Sequence, residues 1–170
     1  MKLYVMRHGP AEDGAASGLD GDRALTPSGR ERVRLVAKVL LDAEETPMRI
    51  VTSPLVRAVQ TAEIVAITGE IGVRGGTVEV RREVAPGGDG AKLLERLALE
   101  RAKRVMLVGH EPDLSALVNG LLGEFSRPFE KAMVVGIHVP DGTRGSTGHR
   151  LRFIVDPKSV ELVSGDPADR

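Results

Sequence analysis

Arg104-Val105-Met106-Leu107-Val108-Gly109 is the run on which the reading of this chain turns, and it is followed at once by His110. A stretch of strand length that is almost wholly apolar has no polar face to show to water. It fits a central strand covered by helices on both sides, the setting of a parallel sheet. From about Pro112 the residues Leu114, Leu117, Val118, Leu121 and Leu122 recur at helical spacing, with proline near the start. Upstream, Asp89 is placed to cap a helix carrying Leu93, Leu94, Leu97 and Ala98, and Thr77 to Arg82 reads as a strand. The glycine-rich 69–76 segment follows a helix and leads into a strand, so it is a connection and not a dinucleotide loop. Arg49 to Thr52 is a further strand, and Ser53-Pro54 signals the start of a helix with Leu55, Ala58, Val59, Ala62, Val65 and Ala66 on one stripe. Lys2 to Met6 is the first strand. It ends at Arg7-His8-Gly9-Pro10, passes through a polar loop over 12–23, and enters a helix capped by Thr26-Pro27.

Beyond the central run, Ala132 to Val139 and Leu151 to Val155 read as two strands around a Gly/Thr/Ser-rich loop. The alternation predicts an α/β three-layer sandwich, with a mostly parallel central sheet, helices on both faces and an antiparallel edge strand. At 170 residues the chain suits one domain, expected over 1–160, with 161–170 a polar tail.

The 24 basic and 24 acidic side chains balance, which gives no bulk attraction to nucleic acid or an anionic membrane. The absence of cysteine excludes thiolate catalysis, disulfides and Cys-based zinc sites. No stretch approaches the ~20 apolar residues a bilayer crossing needs, and the N-terminal run is too short for a signal peptide. A cytoplasmic protein is the expectation. His138, His149, and His8 with Glu12 or Asp13 lack the spacing of a metal site, so neither metal nor other cofactor is expected. Arg30, Arg32 and Arg34 lie on a helix whose Val33, Val36 and Val39 face inward, and read as a solvated basic face.

In sheets of this kind, sites form outside the carboxyl ends of the strands. Three such ends carry unusual residues: Arg7 and His8 on the first, Arg57 just beyond Ser53-Pro54 on the second, and His110 after the central run. Guanidinium forks match phosphate oxygens, and a neutral imidazole can attack phosphorus. Arginines beside that imidazole would lower its pKa.

Several runs resemble, in order, the motifs of the histidine phosphatase superfamily (phosphoglycerate mutase-like): Arg7-His8-Gly9, then Leu25-Thr26-Pro27-Ser28-Gly29, then Thr52-Ser53-Pro54-Leu55-Val56-Arg57-Ala58-Val59-Gln60-Thr61-Ala62, then Val108-Gly109-His110. Short length and Glu83-Val84-Ala85-Pro86-Gly87-Gly88-Asp89 resemble the SixA-type phosphohistidine phosphatases within it. The resemblance implies that His8 is the phosphorylated nucleophile and that Arg7 and Arg57 clamp the phosphoryl oxygens. It implies further that His110 donates a hydrogen bond to them, with Gly9 also at the substrate, and that Glu83 is the proton donor. Asp89 is a second candidate donor, with helix capping as its alternative role. The Gly9 carbonyl is expected to accept from the other ring nitrogen of His8. With only short loops after the first and third strands the site should be open, which suits a phosphohistidine-bearing signalling or phosphotransfer protein as substrate. A phosphatase for small phosphate esters and a phosphoprotein-binding module without turnover are the alternatives.

Overall fold

The computed structural model describes residues 1–140 and 148–165. The apolar run is β4 (Arg104–Gly109), and it sits between β2 (Arg49–Thr52) and β1 (Lys2–Arg7), parallel to both. With β3 (Thr77–Val80), β5 (Val134–His138), β6 (Arg150–Asp156) and β7 (Glu161–Ser164), these strands form one sheet of order β3-β2-β4-β1-β5-β6-β7. Alternation along the central strands sends side chains to two cores. Tyr4, Met6, Ile50, Met106 and Val108 pack under α1 (Pro27–Asp42) and α2 (Val56–Thr68). Leu3, Val5, Val51, Val105 and Leu107 pack under α3 (Gly90–Leu99) and α4 (Asp113–Leu122). Each fully buried aliphatic side chain contributes roughly 1.5–3 kcal/mol, so this two-sided burial fixes the three layers.

The antiparallel part is larger than one edge strand. β5 runs antiparallel to β1, β6 to β5 and β7 to β6. β7 also corrects the expected tail: Glu161 to Ser164 pairs with Phe153 to Asp156, and Leu162 packs against the core. Four residues with two apolar positions are too few to show a period, so the partner strand makes this strand. The rest of the expected tail, 166–170, and most of the Gly/Thr/Ser-rich loop, 141–147, lie outside the described residues.

Two boundaries near the sheet's carboxyl edge differ from expectation. Ser53-Pro54 does not cap α2, which starts at Val56 after Leu55; the Ser53 hydroxyl instead accepts from the Leu55 N–H at 3.3 Å. β3 stops at Val80, and a single 3-10 turn, Arg82–Val84, carries Glu83 away from the strand. At α1 the Thr26 cap forms as expected, accepting from the Gly29 N–H at 2.9 Å. A Cβ on Gly29 would overlap the Pro10 carbonyl, so glycine there lets α1 lie directly on the loop that follows β1. Among the described residues no helix is long and apolar enough to cross a membrane.

Candidate active site

The order β2-β4-β1 brings three loops side by side. The His8 N–H donates to the Gly109 carbonyl and the Ser53 N–H to the Val108 carbonyl, each at 3.1 Å, so the strand ends stay joined as the chain leaves them. Here His8 and His110 lie with ring centroids 5.0 Å apart and planes tilted by 51°. Both are buried, at 6% and 4% exposure.

The His8 Nδ1 sits 2.7 Å from the Gly9 carbonyl. A carbonyl only accepts, so Nδ1 carries the proton and Nε2 keeps a lone pair. Burial is the first cause that lowers the His8 pKa, to about 3; the Gly9 carbonyl opposes it, and the charges of His110, Arg57 and Arg7 add to it. The arginines therefore act in the expected direction but rank behind desolvation. Burial, then the Arg57 charge, likewise lowers His110 to about 4. Both imidazoles are neutral at pH 7.

Gly9 is held in turn by α2. Its N–H donates to the Thr61 hydroxyl at 3.1 Å, and that hydroxyl donates to the Arg57 carbonyl at 2.7 Å. The Gly9 N–H is thus engaged within the protein, while its carbonyl holds the His8 ring in the way expected. Thr61 shares one face of α2 with Arg57 and Gln60, at i, i+3 and i+4. The Gln60 side-chain oxygen accepts from the Leu25 N–H at 2.8 Å. One turn of α2 thus anchors both the β1 loop and the entry to α1.

Arg7 donates through Nη1 to the Phe129 carbonyl at 2.8 Å, while its Nε is buried without a partner among the described residues. Arg57, only 6% exposed, directs its fork at Asp20: Nη1 to the backbone carbonyl at 2.7 Å and Nη2 to Oδ2 at 2.9 Å. The other Asp20 oxygen takes Arg23 at 2.7 Å. The loop after β1 therefore reaches across to Arg57 through the 3-10 turn Asp20–Asp22. A cavity of about 370 Å³ lies beside Arg7, with Ser28, Arg32, Lys131, Lys158 and Glu130 in its wall, the last two paired at 2.6 Å.

Among the described residues the His110 ring makes one hydrogen bond, between Nε2 and the Ser53 hydroxyl at 2.8 Å; its Nδ1 is buried with no partner there. A buried polar atom left unpaired costs roughly 1–3 kcal/mol, which a binding site can retain until a ligand answers it.

Among the described residues no hydrogen bond or ion pair joins Glu83 to the histidines; it pairs with Arg96, and hydrogen bonds from its own backbone and from Arg96 hold its carboxyl below the usual range. Asp89 caps α3, accepting from the Lys92 N–H at 2.9 Å. Arg32 reaches the Pro157 carbonyl and Arg34 pairs with Glu31, which occupies part of the basic face within the protein.

Sequence reasoning missed Asp20, the Phe129 carbonyl, and the hydrogen bonds of Ser53 and Thr61. The last two were within reach, because Ser53 and Thr61 stand inside the run that carries Arg57.

Two guanidinium groups and two neutral imidazoles at the carboxyl edge of an α/β sheet make the apparatus of a phosphatase. Comparison with known proteins agrees. The histidine phosphatase superfamily (branch 1) model matches residues 3–84. The chain is 31% identical over 150 residues to the phosphohistidine phosphatase SixA of Escherichia coli, covering 86% of this chain and 90% of that protein. An uncharacterized protein of Picosynechococcus is 38% identical over 166 residues, 93% of this chain and 98% of that one. The structure of the protein histidine phosphatase SixA complexed with tungstate superposes with a TM-score of 0.82 at 27% identity, covering 95% of this chain and all of that one. The chain belongs to the histidine phosphatase superfamily, and it is a phosphatase.

Proposed function

We propose that this phosphatase works through a covalent phosphohistidine on His8 and that its substrate is phosphohistidine on another protein. The observation that carries the mechanism is the hydrogen bond from His8 Nδ1 to the Gly9 carbonyl, which leaves the Nε2 lone pair free to attack phosphorus. Attack forms the Nε2–P bond as the bond to the leaving group breaks. Water then cleaves Nε2–P, releasing inorganic phosphate and restoring the neutral imidazole. Arg7 and Arg57 bind the phosphoryl oxygens, and His110 donates a hydrogen bond as charge gathers on them. No resident cofactor takes part.

Glu83 supports the phosphohistidine reading over a phosphate ester. Paired with Arg96 and held anionic, it is poorly suited to give a proton to a departing alkoxide. A departing imidazole takes its proton from water on its far nitrogen and needs no such donor. Similarity to the phosphohistidine phosphatase SixA of Escherichia coli points the same way.

Turnover of a phosphohistidine protein and of p-nitrophenyl phosphate, by wild type and His8→Ala in the presence of EDTA, tests this. Loss of both activities in the variant is expected, with phosphohistidine the better substrate of the wild type. Equal rates in wild type and variant would overturn the mechanism, and faster ester turnover would overturn the substrate.

A further inference from the structure

The Ser53–His110 contact has a direction that hydrogen-bond accounting fixes. Ser53 is fully buried, and its hydroxyl oxygen already accepts from the Leu55 N–H. The hydroxyl hydrogen needs an acceptor. Among the described residues the one other group bonded to this oxygen is His110 Nε2, at 2.8 Å. A hydroxyl whose hydrogen points at Nε2 requires a lone pair there, and a neutral imidazole with a lone pair on Nε2 carries its proton on Nδ1. Nδ1 is the His110 atom that is buried without a partner. The opposite arrangement would place a lone pair on Nδ1, the nitrogen still free, and turn an acceptor toward any phosphoryl oxygen it met.

We infer that Ser53 is a positioning residue that holds His110 as its Nδ1–H tautomer, so that the imidazole presents a hydrogen-bond donor to the phosphoryl group without being charged. The inference rests on the phosphatase reading for its consequence, though not for the tautomer itself. It also accounts for the displaced start of α2. Because the helix begins at Val56 and not at the Ser53-Pro54 signal, the Ser53 hydroxyl is released from helix capping and faces β4 across the strand ends. Serine suits the task because it both accepts from Leu55 and donates to His110; alanine offers neither.

The test has two arms. In the first, the ring nitrogens of His110 are observed by long-range proton–nitrogen correlation in substrate-free protein near pH 7, with His110→Asn providing the assignment. A protonated Nδ1 and an unprotonated Nε2 are expected in the wild type, with the population moving toward Nε2–H in Ser53→Ala. A wild type in the Nε2–H form overturns the inference. This spectrum needs no variant at Ser53, so a Ser53→Ala chain that failed to fold would not shield the idea. In the second arm, Ser53→Ala is expected to lower kcat about tenfold, the worth of one neutral hydrogen bond, with KM within about twofold and the fold intact by circular dichroism. Unchanged kcat in a folded variant overturns the role. A wild type inactive on both phosphohistidine and phosphate esters would sink the phosphatase reading and leave the tautomer to be decided by the spectrum.

Discussion

Lowering the pH from 7 to 5 is expected to cost this protein about 4 kcal/mol of stability through two side chains alone. His8 and His110 are held neutral in the folded chain, at about 3 and about 4, against an ordinary value of 6.5. Unfolding exposes both to water, so below pH 6.5 the unfolded state binds more protons than the native one, and stability falls as the pH falls. At pH 5 the native imidazoles are still mostly neutral. The loss there is therefore set by the unfolded value: 1.5 pH units at 1.36 kcal/mol each, about 2 kcal/mol per residue. It grows until the pH passes the native values near 4 and 3. Against a typical total of 5–15 kcal/mol, this is a large share. Urea unfolding at pH 7 and pH 5 measures it, comparing wild type with the double variant His8→Asn/His110→Asn. The asparagine amide reaches the position of Nδ1 and can still donate to the Gly9 carbonyl, so the comparison removes titration more than it removes the contact. The wild type is expected to lose about 4 kcal/mol more than the double variant between the two pH values. Equal losses would refute the account of the site as two desolvated neutral imidazoles.

Three further outcomes follow from the contacts around the histidines. Asp20→Asn removes an exposed carboxylate that competes with a phosphoryl group for Arg57; an exposed pair contributes up to about 1 kcal/mol, so KM for p-nitrophenyl phosphate should fall up to about fivefold, and a rise in KM would mean that Asp20 orients Arg57. Thr61→Val keeps shape but leaves the Gly9 N–H without its acceptor, and thermal and urea unfolding should show a loss of roughly 1–3 kcal/mol together with slower turnover. Glu83→Gln breaks the pair with Arg96 and should change phosphohistidine turnover by less than about twofold, whereas a large loss would restore Glu83 as the proton donor.

What the sequence made legible was whatever repeats along an element. The apolar run at β4 implied its two covered faces, and the caps at Thr26 and Asp89 formed where side chains reach their own backbone three residues on. The convergence of Arg7, His8, Arg57 and His110 was legible for the same reason: strand ends in a parallel sheet have few places to go. What stayed hidden was contact between segments far apart in the chain. Asp20 reaches Arg57 from an irregular loop whose spacing carries no period, and Phe129 offers Arg7 only a carbonyl, which every residue possesses. β7 escaped notice because four residues gain strand character from β6, not from themselves.

Glu83 illustrates a different limit on what a motif conveys. Its place in a motif suggested a donor, but the chain leaves β3 two residues earlier than its β-branched pattern implies, and the 3-10 turn hands the carboxylate to Arg96. A motif transmits the order of residues more faithfully than their direction. Direction at this site comes from buried hydrogen bonds: Gly9 turns His8, Thr61 holds Gly9, and Ser53 meets His110. In each pair at least one partner lacks a titratable side chain, so a search for charged or nucleophilic residues finds the imidazoles and passes over the groups that decide which nitrogen of each ring carries the proton.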